Sequence, residues 1–120
     1  AQNIEAMKID MVVVRHRSPG APQFLTRCVD ATIINAGDGA HEHPTQALLD
    51  TLTITEYHPD LTGLKVSIVG DIMFSRVARS NIYALAALGA EITLCGPRTL
   101  IPPGIAEMVP GGLRITHRLD

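Results

Sequence analysis

Short apolar runs alternate with longer helical stretches along this chain, and no other sequence feature constrains its fold as much. Runs rich in β-branched residues lie at 11–14, 31–35, 65–70 and 91–95. Continuous hydrophobicity, rather than alternation, is typical of strands that are buried on both faces of a parallel sheet. Strands that alternate with helices predict an α/β architecture with a parallel sheet.

Three helices are predicted between these strands, over residues 21–29, 44–57 and 75–88. Pro44 occupies the first helical position, which proline favours, and Gly89 is a typical C-terminal stop. We expect the second helix to have an apolar side, formed by its leucines at 48, 49 and 52. The stretch Gly37-Asp38-Gly39 is predicted to be a flexible loop, and a short helix and a strand at 113–116 are predicted after Pro102-Pro103.

The segment His58-Pro59-Asp60-Leu61-Thr62-Gly63 interrupts this pattern and is the best candidate for a linker. Strand–helix units lie on both sides of it, and neither set looks complete. The sequence therefore predicts parts of two α/β domains joined by the helix at 44–57. Residues 1–5 read as the middle of a helix without an initiating Met, so we expect a chain cut from a longer protein.

Composition narrows the classes of function. The 120 residues carry a formal net charge of −2 and only 3% aromatic side chains, with Lys and Arg dispersed along the chain. This composition argues against a nucleic-acid-binding surface, which needs clustered cations or stacking aromatics. The sequence has no apolar run near the ~20 residues of a membrane span, so a membrane partner is not expected.

His43 and Gln46 are the most informative candidate site residues. They lie three positions apart at the predicted start of the helix at 44–57, so both side chains share one helix face. Unpaired backbone N–H groups and the helix dipole favour negative charge at that end. The pair suits a small anion that carries a carbonyl or amide group, although His43 could instead cap the helix and Gln46 could form a capping box.

Two arginines lie where ligands bind in open α/β sheets, beyond the carboxyl ends of strands. Arg15 belongs to the Arg15-His16-Arg17 group after the first strand, and Arg76 opens the helix after the third. A cation is unfavourable at a helix N-terminus unless it faces an anion. Each arginine could also be a surface residue, Arg15 in a salt bridge and Arg76 in solvent. A further polar group, Gly96-Pro97-Arg98, follows the fourth strand.

Three other kinds of site are weakly supported. His41 and His43 could form a metal-binding pair, but no carboxylate-rich partner set accompanies them. Gly70 follows a strand as in dinucleotide-binding motifs, yet Asp71-Ile72-Met73-Phe74-Ser75 supplies no second glycine. The chain also lacks the Gly-x-Ser-x-Gly motif of a serine nucleophile.

Three segments together resemble the catalytic chains of the aspartate carbamoyltransferase family, in an order and spacing that cover essentially the whole chain. They are Val14-Arg15-His16, the stretch from Asn35 through His43-Pro44-Thr45-Gln46 to Asp50, and Val69-Gly70-Asp71 with Ser75-Arg76-Val77-Ala78-Arg79-Ser80. The sister family of ornithine carbamoyltransferases carries Cys where this chain has Thr45, which favours aspartate as the second substrate.

The resemblance implies parts of two Rossmann-like parallel-sheet domains joined by an interdomain helix. Residues 1–57 would be the C-terminal part of a carbamoyl-phosphate-binding domain, and residues 58–120 the N-terminal part of an aspartate-binding domain. Arg15 would bind the phosphate and carbonyl of carbamoyl phosphate, His43 the carbonyl oxygen, and Gln46 the carbamoyl nitrogen. Arg76 would bind a carboxylate of aspartate. No metal or organic cofactor is implied.

The resemblance also implies a cytoplasmic homotrimer of catalytic chains, either alone or with regulatory or dihydroorotase subunits. A Ser-Thr-Arg-Thr phosphate loop would precede residue 1, and an Arg-x-Gln segment that binds aspartate would follow residue 120. Two alternatives remain open from the sequence. The acceptor could be another amine such as ornithine, or the chain could belong to an inactive carbamoyltransferase-like scaffold.

Overall fold

The computed structural model of the chain describes residue 3 and residues 6–119, so most of the helix predicted at residues 1–5 lies outside the described residues. Beyond residue 10, strands and helices alternate as predicted. The strands are β1 (Met11–His16), β2 (Thr32–Asp38), β3 (Lys65–Val69), β4 (Glu91–Cys95) and β5 (Arg114–Thr116). The helices are α1 (Ala21–Leu25), α2 (Pro44–Tyr57) and α3 (Arg76–Ala87).

The strands form two parallel sheets. One contains β1 and β2, with Val12 opposite Ile33, and the other has the order β3-β4-β5, with Ile68 opposite Leu94. This arrangement confirms the predicted α/β class and its parallel pairing. The short helix expected after Pro102-Pro103 is a single 3₁₀ turn at Ile105–Glu107, and a second 3₁₀ turn occupies Arg98–Leu100.

The hydrophobic core lies between the β3-β4-β5 sheet, α3 and the segments that follow β4. Ile82 of α3 and Leu94 of β4 are fully buried, each with 0% of its surface exposed. Leu61, inside the predicted linker, is also a member of this core. The amide of Gly63 donates to the carbonyl of Gly89 at 2.8 Å. The break between α2 and β3 is therefore a packed loop rather than a free linker.

The prediction of strands buried on both faces is wrong for β1 and β3. Val13 and Val69 are 65% and 58% exposed, so neither strand is buried on both of its faces. The apolar side predicted for α2 is exposed as well, at Leu48, Leu49 and Leu52. The buried residues of α2 are the small side chains Ala47 and Thr51, so these, rather than the leucines, lie on its packed side.

Two local predictions need correction. The first helix ends at Leu25 instead of residue 29, because the chain tightens there into a turn in which the Cys28 amide donates to the Leu25 carbonyl at 2.9 Å. Gly37 and Asp38 belong to β2 and are buried, whereas a flexible loop was expected. The carboxylate of Asp38 accepts the Gly20 amide at 2.8 Å, which holds this strand end in place. Among the described residues, no helix has the length and apolar character required to cross a membrane.

Candidate functional site

Arg15 lies near the end of β1, at an irregularity in the pairing with β2. The strand continues through His16, two residues beyond the predicted end, and its pairing register with β2 shifts between Val14 and His16. Gly37 of β2 faces this point with a φ of 136°, and a Cβ atom there would lie 3.2 Å from Cγ of Arg15. Glycine therefore leaves the space through which the Arg15 side chain passes. Among the described residues, no carboxylate forms a salt bridge with Arg15.

Arg76 connects α3 to the turn that follows β2. Ser75 is the N-cap of α3, and its hydroxyl accepts the Ala78 amide at 3.1 Å. Arg76 is the first helical residue, and its Nη1 donates to the carbonyl oxygen of Gly39 at 3.1 Å. Its Nε is buried without a hydrogen-bond partner among the described residues. Arg76 is therefore not a solvated surface arginine, and it retains a donor for another group.

Arg15 and Arg76 line the same cavity, which has a volume of about 310 Å³. The remaining lining residues are His16, Arg17, Gly37 and Gly39. Three of the six carry guanidinium groups and none carries a carboxylate. A cleft with one sign of charge concentrates ligands of the opposite sign. The cavity is therefore suited to a small anion, with Arg15 and Arg76 as forked donors.

His43 is the N-cap residue of α2, and its backbone rather than its side chain secures the helix start. Its amide donates to Oγ of Ser80 in α3 at 2.8 Å, and the side chain makes no capping hydrogen bond. Nδ1 of the ring lies 3.3 Å from Oγ1 of Thr45. The interpretation of His43 as a mere side-chain cap is therefore wrong.

The pKa of His43 is lowered from its ordinary value of 6.5. Partial burial is the largest cause, followed by the positive charges of Arg76 and then Arg15, whereas the negative charge of Asp50 opposes the shift. His43 does not line the cavity that contains Arg15 and Arg76, but the charges of both arginines lower its pKa. Because the shift is downward, the imidazole is predominantly neutral at pH 7.

The Gln46 side chain does not cap the helix start. Its Nε2 donates forward to Oδ1 of Asp50 at 2.8 Å, so the capping-box interpretation is wrong. Gln46 does not line the cavity that contains Arg15 and Arg76. The described part of the structure therefore brings the two arginines together in one cavity, whereas His43 and Gln46, at the start of α2, lie outside its lining.

Three polar residues of this region were given no role in the site by the sequence. Asp50 accepts Gln46, Asn81 of α3 donates to Asp50 at 2.7 Å, and Ser80 accepts the His43 amide. Only the i,i+4 spacing of Gln46 and Asp50 carries a local signal. The contacts made by Ser80 and Asn81 join residues that are distant in the sequence, so no spacing rule could identify them.

The other polar candidates do not join the cavity. Arg98, after β4, is exposed and does not line it. His41 contacts the Asp38 carboxylate, with Nδ1 and Oδ2 3.1 Å apart. Within the described part of the chain, no group of three or more His, Cys, Asp or Glu side chains could hold a metal ion.

Residues 1–56 match the family model described as "Aspartate/ornithine carbamoyltransferase, carbamoyl-P binding domain". The chain is 56% identical over all its 120 residues to the aspartate carbamoyltransferase catalytic subunit of Syntrophotalea carbinolica. This chain belongs to the aspartate/ornithine carbamoyltransferase family. Over 106 residues, 88% of the chain, it is 66% identical to the corresponding subunit of Flavobacterium psychrophilum.

Solved structures of the family have the same fold. Aspartate transcarbamoylase from Trypanosoma cruzi in complex with N-(phosphonacetyl)-L-aspartic acid aligns with a TM-score of 0.85 and 31% identity, covering 100% of this chain and 43% of that one. The carbamoyltransferase fold predicted from the sequence is therefore confirmed. This chain spans 37% of the Syntrophotalea subunit and 34% of the Flavobacterium subunit, so it corresponds to about a third of a family catalytic chain.

Proposed function

We propose that this chain forms part of an aspartate carbamoyltransferase. The reaction transfers the carbamoyl group of carbamoyl phosphate to the amine of L-aspartate and yields N-carbamoyl-L-aspartate and phosphate, in de novo pyrimidine biosynthesis. The observation that carries the proposal is the cationic cavity of Arg15 and Arg76 beside a neutral His43. The names of the relatives support it, and the Trypanosoma cruzi enzyme has also been solved in complex with carbamoyl phosphate and aspartate.

In this proposal Arg15 binds the phosphate and the carbonyl oxygen of carbamoyl phosphate, and His43 donates to the same carbonyl oxygen. The aspartate amine attacks the carbamoyl carbon, and the carbonyl oxygen becomes the oxyanion of a tetrahedral intermediate. Arg15 and His43 stabilise this oxyanion, for which one well-placed donor contributes about 3–4 kcal/mol. The C–O bond to phosphate then breaks, and the departing phosphate accepts the amine proton.

The proposal assigns to His43 the tautomer that is protonated on Nε2. A neutral imidazole that accepts the Thr45 hydroxyl at Nδ1 carries its proton on Nε2. Nε2–H is then the group that donates to the carbonyl oxygen. The lowered pKa of His43 favours the neutral imidazole that this role uses.

Arg76 and Gln46 hold the remaining substrate groups. Arg76, whose Nε has no partner within the described structure, binds a carboxylate of aspartate. Gln46 accepts a hydrogen bond from the carbamoyl nitrogen. The proposed reaction uses no metal or organic cofactor, since Arg15 and His43 supply the charge and the donors that the oxyanion needs.

The proposal includes a division into two domains and an assembly. Residues 1–57 form the end of a carbamoyl-phosphate-binding domain together with the interdomain helix α2, and residues 58–120 begin an aspartate-binding domain. The family model over residues 1–56 and the two separate sheets support this boundary. The proposed assembly is a cytoplasmic homotrimer of catalytic chains, with regulatory or dihydroorotase subunits as its candidate partners.

A segment exchange tests the proposal. These 120 residues replace the matching segment of the Syntrophotalea carbinolica catalytic subunit, and we call the product the chimera. We expect the chimera to consume carbamoyl phosphate with L-aspartate and to be inactive with ornithine, with the unaltered subunit as control. Turnover with ornithine instead of aspartate would identify a different transcarbamoylase. A folded chimera without turnover on either amine would identify an inactive scaffold.

A further inference from the structure

The carboxylate of Asp50 connects α2 to α3 through two hydrogen bonds. Its Oδ1 accepts Nε2 of Gln46 at 2.8 Å, and its Oδ2 accepts Nδ2 of Asn81 at 2.7 Å. Gln46 and Asp50 lie in α2, whereas Asn81 lies in α3. Both carboxylate oxygens therefore have a donor, and the half-buried Asp50 side chain connects the first turn of α2 to the second turn of α3.

The carboxylate determines which way the Gln46 amide faces. The oxygen and nitrogen of an amide side chain occupy nearly the same volume, and the hydrogen-bond network decides between them. An ionised carboxylate only accepts hydrogen bonds, so it requires the NH₂ group of Gln46. The same requirement turns Nδ2 of Asn81 toward Asp50, although Oδ1 of Asn81 is then buried without a partner among the described residues.

With Nε2 of Gln46 bound to Asp50, Oε1 is the atom of this amide that is available to a ligand. A carbamoyl group presents an NH₂, which is a donor, so it needs an acceptor such as this oxygen. The reversed amide would place two donors against each other. An acetyl group has a methyl in place of the NH₂ and makes no such demand.

We propose that Asp50 is a positioning residue for the carbamoyl group, because it occupies Nε2 of Gln46, leaves Oε1 for the ligand and ties that orientation to α3 through Asn81. Asp50 acts through Gln46 and does not itself touch the substrate. This inference rests on the proposed function, since it assigns a carbamoyl group to the site. The inference adds a means by which the site would select carbamoyl phosphate over acetyl phosphate, in which a methyl group replaces the NH₂ group.

The test compares carbamoyl phosphate with acetyl phosphate in Asp50→Asn of the chimera. Asparagine has the same shape but can donate or accept, so Gln46 is no longer held in one orientation. We expect the Kd for carbamoyl phosphate, from isothermal titration calorimetry, to rise about 3–10-fold, the range for one neutral hydrogen bond. The Kd for acetyl phosphate stays unchanged. Glu56→Gln, an exposed acid of the same helix, is the control and leaves both values unchanged.

Gln46→Ala and the double variant complete the design. We expect Gln46→Ala to reduce the preference for carbamoyl phosphate as Asp50→Asn does, and Asp50→Asn to have no further effect when Gln46 is absent. An equal loss of both ligands in Asp50→Asn, or an unchanged preference in Gln46→Ala, overturns the positioning role even if Asp50→Asn proves unstable. An unaltered chimera that binds aspartate analogues but not carbamoyl phosphate would instead overturn the proposed function.

Discussion

The chain has two regions that differ in where their hydrophobic side chains lie. The first region, residues 11–57, contains β1, α1, β2 and α2, and the second region, residues 58–119, contains β3, α3, β4 and β5. The second region has a continuous core that includes Ile82 and Leu94 at 0% exposure. In the first region the buried hydrophobic residues are Val29 and Ala47, together with Pro22. Its large apolar side chains are exposed, at Val13, Phe24, Leu48, Leu49 and Leu52 among others.

The residues of the proposed chemistry show the opposite distribution. Arg15, His43 and Gln46 lie in the first region, and Arg76 reaches into it from the start of α3. The first region is held at its polar end by directed contacts, such as the amide of His43 on Ser80. The second region is therefore held together by apolar burial, whereas the first region obtains its site from hydrogen bonds to the second.

Removal of a buried side chain from the core of the second region should destabilise the protein more than any other change proposed below. Ile82→Ala should lower the free energy of unfolding by about 2–5 kcal/mol, because it leaves a cavity among fully buried side chains. Leu48→Ala, 66% exposed on α2, should change it by no more than about 0.5 kcal/mol. Urea unfolding followed by circular dichroism measures both. Equal losses would mean that the exposed side of α2 is covered in solution.

A change at His43 should impair catalysis without affecting the core of the second region. His43→Ala in the chimera should lower kcat at least ~10²-fold, the lower end for the loss of an oxyanion donor. Steady-state kinetics measures this effect. The free energy of unfolding in urea should change little, because the hydrogen bond from the backbone amide of residue 43 to Ser80 remains. His58→Ala, exposed beyond the other end of α2, is the matched control. An unchanged kcat would remove His43 from the proposed mechanism.

The third prediction concerns the residue that links the two regions. Arg76→Ala should raise the KM for aspartate roughly 10-fold or more, as expected for loss of a hydrogen bond to a charged group, and leave the Kd for carbamoyl phosphate largely unchanged. Arg98→Ala, an exposed arginine outside the cavity, should change neither. A parallel loss of both substrates would show that Arg76 instead supports the whole site through Gly39.

The pKa of His43 should respond to the charges around it, with the smallest effects of the four predictions. Nuclear magnetic resonance titration should give a pKa for His43 below 6.5. Arg76→Gln should raise this pKa by removing a positive charge, and Asp50→Asn should lower it further. Because the unfolded chain takes up this proton at higher pH than the folded one, His43 should reduce stability as pH falls through 6.5. Shifts in the opposite directions would contradict the assigned causes.

Much of the fold and part of the site could be predicted from local patterns. Pro44 begins α2, Ser75 caps α3, and Gly89 adopts a φ of 82° after α3, as expected of a helix stop. The parallel pairing followed from runs of β-branched residues. The expectation that β1 and β3 are buried on both faces was wrong, because apolar character in a sequence does not reveal whether a second layer is present.

By itself, the sequence determined the order of strands and helices, the helix boundaries to within a few residues, and Arg15, His43, Gln46 and Arg76 as candidates. These features depend on interactions between residues a few positions apart. Only the tertiary structure brought Arg76 to the Gly39 carbonyl and Ser80 to the His43 amide, each across 37 residues, and Asn81 to Asp50 across 31. Such contacts form when α2 packs against α3, and no local periodicity encodes that geometry.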